Sequence, residues 1–377
     1  MLSHMPRRIL TAALTCLLTA TAAAPASAAV VGFFDGHAAQ EAILSEMALH
    51  PTAIDVDGTT VIAYQGVGFD PYVCSYDAAN DAWDGPYRVG TNLLSLDAHG
   101  APALFRDSLG RLHALHGAHN GPLGHSVAPG TARLDSWSSL SVVDTAATYP
   151  QPLEMGGGEV LLYHRGRGYD WFERNASGEC TTFSAPRAVL KADQENRWYA
   201  DFRNAPDGTV HAAFVRVSVA EYEQWGFARH DVYHMRRAPD GSWAAADGTP
   251  LTLPVDRAEA DAHCRILDTG SDWANEVSVK TDAAGRPLVL ALTGFGAGPR
   301  AFSWRLLRWD GAAWRSSEIT SADHFFDSGA LRVCEDGSLE AFLVYGESDA
   351  AGGAPGDCRG RGGTIGRFTS DDEGVTW

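Results

Sequence analysis

The chain has 377 residues, a formal charge of −18 at pH 7 and 45% hydrophobic residues. That is enough apolar material for one large or two ordinary domains, while the acidic balance argues against nucleic acid or an anionic membrane as a bulk partner. An anionic substrate is still allowed, because it answers to the local field of a cleft and not to the net charge.

The first predicted element is a leader. Residues 1–28 carry Arg7 and Arg8, an apolar stretch and an Ala-Ser-Ala site at 26–28, the pattern of a secretory signal peptide, so an extracellular protein is expected. Cys16 lies in the apolar stretch behind Thr15, where a lipoprotein site needs a small Gly, Ala or Ser. Losing the leader removes two arginines and deepens the charge from −18 to about −20. No later apolar run is long enough to span a bilayer. The mature chain keeps Cys74, Cys180, Cys264, Cys334 and Cys358, an odd set in which at least one thiol stays free or binds metal.

Further along, "DVDGTTVIAY", "DSLGRLHALHG", "MGGGEVLLYHR", "APDGTVHAAFV", "DAAGRPLVLAL" and "CEDGSLEAFLVYG" each read as a glycine turn entering a β-rich run. Their turn residues Gly58, Gly110, Gly158, Gly208, Gly285 and Gly337 fall roughly 50 residues apart, except across the wider gap from Gly208 to Gly285. An aromatic follows each unit, at Trp83, Trp137, Phe183, Trp243, Trp314 and Trp377. This is the period of a propeller blade. The expectation is therefore an all-β chain over residues 29–377, a single β-propeller domain of four-stranded antiparallel blades, with six blades visible and seven in the ring. The wide gap, with "SVAEYEQWGFARH" and "AEADAHCRILDTGSDWANE", reads as long loops on one face.

The last phrase, "TSDDEGVTW", fits S-x-D-x-G-x-T-W through Ser370, Asp372, Gly374, Thr376 and Trp377, and resembles the Asp-box of sialidase-like propellers. In such a box Asp and Ser bond the backbone of a tight turn, Gly takes a positive φ and Trp plugs between sheets. Because such a box is followed by an outer strand, either "VVGFFDGHAAQEAILSEM" closes the ring or the chain is C-terminally truncated; truncation is the favoured expectation.

The densest polar cluster lies in the second to fourth units, in "HGAHNGPLGHS", "TYPQPLE", "YHRGRGYDW" and "NRWYADFRN", with "RHDVYHMRRAPDGSW" downstream. These phrases resemble the BNR-4 propellers that include ulvan lyases and related polysaccharide lyases, over roughly residues 50–377. The resemblance implies a secreted lyase cleaving a 4-linked uronate in a rhamnose/glucuronate polymer by β-elimination. That chemistry needs a group to neutralise the carboxylate, a base near C5 and an acid for the leaving O4. Arg suits the first task because its fork pairs bidentately with a carboxylate; His and Tyr suit the other two. By resemblance His99 and His119 are the paired histidines, Tyr149 the catalytic tyrosine and Arg165 the carboxylate clamp, with the division of acid and base between His and Tyr left open. Tyr199, Arg203, Arg167, Trp171 and Asn120 are the candidate substrate contacts. His113 and His116, on the alternating run "LHALH", read as structural, and His125 stands where the family phrase departs.

The elimination itself calls for no cofactor. His263 and Cys264, with Cys334 and Cys358, could form a structural zinc or calcium site, although no close ligand pair is present and a Cys334–Cys358 disulfide fits as well. The expected partner is an anionic polysaccharide, with no nucleic acid or membrane and a monomeric state. Three other readings share the fold: a rhamnosyl-glucuronate lyase, a sialidase- or rhamnosidase-like hydrolase, and a carbohydrate-binding propeller without activity. The sialidase reading lacks its arginine phrase, since "ALFRDSLG" offers only Phe105-Arg106.

Overall fold

In the computed structural model, the structure describes residues 52–94, 97, 99–130, 133–225, 228–294, 302–322, 325–346 and 364–377. The leader, the segment proposed to close a ring and Cys358 lie outside the described residues.

The described chain is all-β, built from antiparallel meanders. The first sheet holds β1 (Ala53–Val56), β2 (Thr59–Gln65), β3 (Pro71–Asp77) and β4 (Ala82–Arg88) in sequence order. The second contains β5 (Ala103–Arg106), β6 (Leu112–Gly117), β7 (His119–Val127), β8 (Ser138–Ser139), β9 (Asp144–Glu154), β10 (Glu159–Gly166), β11 (Trp171–Ser177) and β12 (Arg187–Leu190). In the third, β13 (Asn196–Asn204), β14 (Val210–Ser218), β15 (Arg229–Arg237) and β16 (Trp243–Ala244) are joined by β17 (Arg265–Leu267). β18 (Trp273–Thr281), β19 (Pro287–Gly294), β20 (Phe302–Trp309) and β21 (Trp314–Ala322) form the fourth. The fifth has β22 (Gly329–Val333), β23 (Leu339–Tyr345) and β24 (Thr364–Ser370).

The repeat read from the sequence has a physical basis in the turns. All six spaced glycines have φ between 74° and 85°, a region that most side chains avoid, and at Gly110, Gly208, Gly285 and Gly337 the glycine N–H closes the same turn onto the carbonyl three residues back. At Gly208 the turn is closed by its N–H to the Ala205 carbonyl, while Asp207 accepts from the Thr209 N–H.

Two features depart from the expected units. The second and third are fused into one sheet, because β7 pairs with β9 through His119↔Thr148, Gly121↔Ala147 and Leu123↔Asp144. The wide gap, expected as loops, contains the helix α1 (Val219–Trp225) and a short turn α2 (Arg257–Glu259) that runs through a π-turn, Ala260–Cys264, into β17.

β9, β13 and β18 run side by side in one direction. Gln151 bridges β9 to β13 through bonds to Ala200 O and Phe202 N, and Asp201 accepts the Val279 N–H of β18. They are largely buried, and the polar residues that interrupt them, such as Gln151, Asp201 and Asn275, are themselves buried and hydrogen-bonded across to neighbouring elements. Aromatics fill the space between sheets: Tyr163 stacks on Phe202 at 4.1 Å, and Trp198 meets Phe214 and Tyr233 edge-on. Because the three strands are codirectional, their starting residues share one end of the sheets and their last residues the other. Each end presents its own set of side chains.

Candidate active site

At the starting end, one carboxylate organises two imidazoles. Asp97 Oδ1 accepts from His99 N (2.9 Å) and meets His99 Nδ1 at 2.7 Å, while Oδ2 meets His119 Nδ1 at 2.7 Å. The Asp97 carbonyl is in turn fixed by Gln65 Nε2 of β2 at 3.0 Å. The two rings stack with centroids 3.9 Å apart. With both Nδ1 atoms committed to Asp97, each neutral ring carries its proton there and leaves Nε2 as an acceptor. Burial would raise the Asp97 pKa, but the His99 N–H and the two imidazoles outweigh it and hold the carboxyl at about 2. His119 is pushed below the ordinary histidine value, first by burial and then by repulsion from His99 and Arg165, against the pull of Asp97. It is neutral at neutral pH.

Tyr149 lies 6.2 Å, ring to ring, from each histidine. The β9–β10 register shifts between Gln151↔Tyr163 and Thr148↔Arg165, so Tyr149 and Pro150 form a bulge, with Tyr149 at φ 54°. A bulky residue in that conformation is strained, and such strain recurs where a side chain must be re-aimed. Beside it, the Asn120 N–H of β7 donates to Thr148 Oγ1 of β9 (2.8 Å), which helps lock the fused strands together.

Arg165, at the end of β10, is 1% exposed, and its Nε and Nη1 have no hydrogen-bond partner among the described residues. Its Cζ lies over three tyrosine rings: Tyr149 at 4.8 Å, Tyr169 at 4.3 Å and Tyr199 at 5.0 Å. Burial opposes the guanidinium charge, yet interaction with Tyr199 and Tyr149 raises its pKa above the usual value. A buried cation without a carboxylate partner is costly to maintain, and it fits an anionic ligand that completes the pair.

His99, His119, Tyr149, Arg165 and Tyr199 are thus brought together, and Asn120 lies at their edge. Arg167 is exposed in the turn between β10 and β11, next to Arg165 in sequence. Two expected contacts are corrected. Trp171 is fully buried, its Nε1 bonded to Trp198 O at 3.0 Å and its ring against Phe202, so it belongs to the core between sheets. Arg203 shares a face of β13 with Tyr199, but four residues of extended chain carry it about 13 Å to the opposite end, where it pairs with Asp201.

Four residues were missed. Asp97 lies between strands, where periodicity gives no signal; the spacing Asp-x-His at 97–99 was the available clue. Tyr169 lies in the turn after Arg165 at φ 68° and takes Arg197 over its ring at 4.3 Å as well. Buried Arg229 lies 3.9 Å over Tyr199 and donates to Asn275 Oδ1.

The remaining histidines behave as structural groups. His113 bridges Asp107 (3.2 Å) and His125 (2.8 Å), and His116 meets Ser126, all buried. For metals, the group Asp97, His99 and His119 has donor atoms within 4.8 Å of one another and is the set of that kind among the described residues. A cation there would compete for the atoms that now fix the imidazoles. Of the expected structural site, Cys358 lies outside the described residues, His263 is exposed, and Cys264 is buried with its thiol pushed up to about 12 by burial, the reverse of what a thiolate ligand needs. Cys74, Cys180, Cys264 and Cys334 are free thiols.

Comparison with known proteins agrees with this arrangement. A family model described as BNR repeat-containing family member matches residues 55–322. An ulvan lyase of Pseudoalteromonas sp. (strain PLSV) is 28% identical over 343 residues, covering 80% of this chain and 70% of its own. One from Nonlabens ulvanivorans is 28% identical over 344 residues, covering 80% and 72%. Among solved structures, a PL25 ulvan lyase superposes with a TM-score of 0.79 at 24% identity, over 92% of this chain and 85% of that one. A PL25 ulvan lyase bound to -[GlcA(1-4)Rha3S]- matches with the same TM-score and coverage at 23% identity. At that identity the structural matches speak for the fold.

Proposed function

The chain belongs to the BNR repeat-containing family, and on that premise we propose that it is a polysaccharide lyase that cleaves an ulvan-type polymer at a 4-linked uronate by β-elimination. The observation that carries the reading is Arg165: a buried guanidinium with two unpaired nitrogens, faced by tyrosines and lying beside an imidazole pair. Its fork receives the uronate carboxylate and stabilises the charge that develops as the C5 proton leaves. His119 Nε2, kept neutral by burial, takes that proton. The C5–H electrons form the C4=C5 double bond, the C4–O4 bond breaks, and the Tyr149 hydroxyl gives its proton to O4. The imidazolium then returns a proton to the phenolate, so the enzyme ends as it began.

Asp97 is a positioning residue that fixes both imidazole tautomers, and His99 holds the His119 ring by stacking on it. Tyr199, Arg167, Arg197 and Asn120 contact the neighbouring sugars. The sheets form the blades of a β-propeller, residues 29–377 act as one catalytic domain, and the leader at 1–28 exports it. A hydrolase would need two carboxylates flanking the scissile bond, whereas the carboxylate presented here, Asp97, has both oxygens engaged by imidazoles.

Mass analysis of the products from ulvan tests the reading. Elimination leaves fragments whose new non-reducing end is one water lighter than the hydrolytic product. Fragments carrying the added water, or an uncut polymer retained on the folded protein, would replace the lyase with a hydrolase or a binding propeller. A rhamnose-capped glucuronan cut in preference to ulvan would keep the chemistry and move the substrate.

A further inference from the structure

The opposite end of the same strands carries a second set of cations that the elimination does not use. Arg203 and Asn204 at the end of β13, Lys280 and Thr281 at the end of β18, and Arg332 near the end of β22 line a cavity of about 530 Å³, with His211 in its wall. Three strands thus bring three cations to one space, in a molecule whose total charge is −18. The acids nearby do not cancel them. Asp201 is fully buried, pairs with Arg203 at 3.2 Å and accepts the Val279 N–H. Glu340 pairs with Arg332 at 3.2 Å and also with Arg367. Among the described residues these three lining cations and Arg367 are thus set against two carboxylates, which leaves two positive charges. Lys280 makes no ion pair or hydrogen bond within the described residues, and burial followed by repulsion from Arg203 depresses its pKa. His211 adds no charge, since burial pushes it down to about 4, but its ring is held by His234 Nε2 at 3.0 Å and lines the wall as a fixed polar group.

We propose that this cavity is a second anion-binding site, separate from the Arg165 site, that takes a tetrahedral oxyanion of charge −2 or the sulfate ester of a sugar. An unpaired, half-buried ammonium repelled by a neighbouring guanidinium destabilises the folded chain until an anion joins the pair. A tetrahedral group can reach three cations that converge from three strands, whereas a planar carboxylate is satisfied by one arginine fork. The separation from Tyr199, about 13 Å along β13, makes occupancy here independent of the elimination.

Thermal unfolding of the purified chain in rising inorganic sulfate, with chloride exchanged to hold ionic strength constant, tests the site. Sulfate raises Tm of the wild type, because a ligand of the native state stabilises it by mass action. The rise is absent in Lys280→Met and reduced in Arg332→Ala, while both variants cut polymer at the wild-type rate. Arg332 is exposed at its side chain (67%), so its removal leaves the fold intact if Lys280→Met should fail to fold. To separate the sources of the group, a sulfated oligosaccharide is added to Arg165→Ala. A Tm rise that vanishes in Arg165→Ala/Lys280→Met identifies a sulfate ester, and a rise with inorganic sulfate or phosphate alone identifies a free oxyanion. Equal rises in the wild type and both single variants, or no rise beyond chloride, would overturn the proposal.

Discussion

A carboxylate has two oxygens, and Asp97 spends one on each of two stacked imidazoles. Asn at this position can accept through only one of them, so Asp97→Asn frees one ring to adopt the wrong tautomer. The expected loss in kcat is about 10²- to 10⁴-fold, by analogy with other carboxylate–histidine pairs, with circular dichroism unchanged. The pH profile gives an independent sign. The base must be neutral, so activity is lost as pH falls through the His119 pKa, which lies below its ordinary 6.5. The Asp97 hydrogen bond and charge raise that pKa, so Asp97→Asn moves the acidic limb to still lower pH, a shift that a merely damaged fold would not produce. Arg165→Lys keeps the charge but loses the fork, and about 10²- to 10³-fold of kcat goes with it. His119, Tyr149 and Arg165 were legible as members of the cluster because each stands in a phrase that resembles the family, and His99 because the same resemblance pairs a second histidine with His119. Asp97 was not, because it lies between strands and acts through other residues. Arg203 was misplaced because a sequence shows which face of a strand a residue occupies more readily than which end.

The hairpin turns were the most legible elements, since a positive φ favours glycine and the glycines recur. The terminal turn shows how closely such an element is built. Asp372 Oδ1 accepts from Val375 N and Thr376 N, Ser370 Oγ accepts from Gly374 N at 2.9 Å, and Trp377 packs against the Leu306–Leu339 cluster. A Cβ on Gly374, at φ 81°, would lie 2.2 Å from Leu306 Cδ2. Gly374→Ala is therefore expected to destabilise the chain by roughly 1–3 kcal/mol, read from the urea midpoint at unchanged m-value. The β7–β9 pairing was not legible, because strand order along the chain does not say which neighbouring meanders share hydrogen bonds. It has a functional consequence: pairing His119 with Thr148 is what puts the imidazole beside Tyr149. Trp171 was taken for a contact because aromatics suit sugars, but its ring is packed between sheets against Phe202 and its Nε1 is spent on Trp198 O. Trp171→Ala should cost about 3–5 kcal/mol and lower activity only in proportion to the unfolded fraction.

At the scale of the molecule, a chain of charge −18 works on a polyanion by concentrating its cations. Arg165, Arg197 and Arg229 gather around Tyr169 and Tyr199 at one end of the strands, and Arg203, Lys280 and Arg332 at the other. Encounter with the polymer is then opposed by the whole and favoured by the site, so raising salt weakens site contacts while screening the general repulsion. In the proposed elimination Arg165, His119 and Tyr149 carry every step without a metal, so a chelator should leave the initial rate unchanged. The most direct test of the account is the ultraviolet absorbance of the conjugated uronate formed when purified wild type, Arg165→Ala and His119→Ala are each incubated with ulvan. A rise with the wild type that both folded variants abolish is the predicted result. No rise while reducing ends still accumulate, or a rise that survives loss of Arg165, would contradict it.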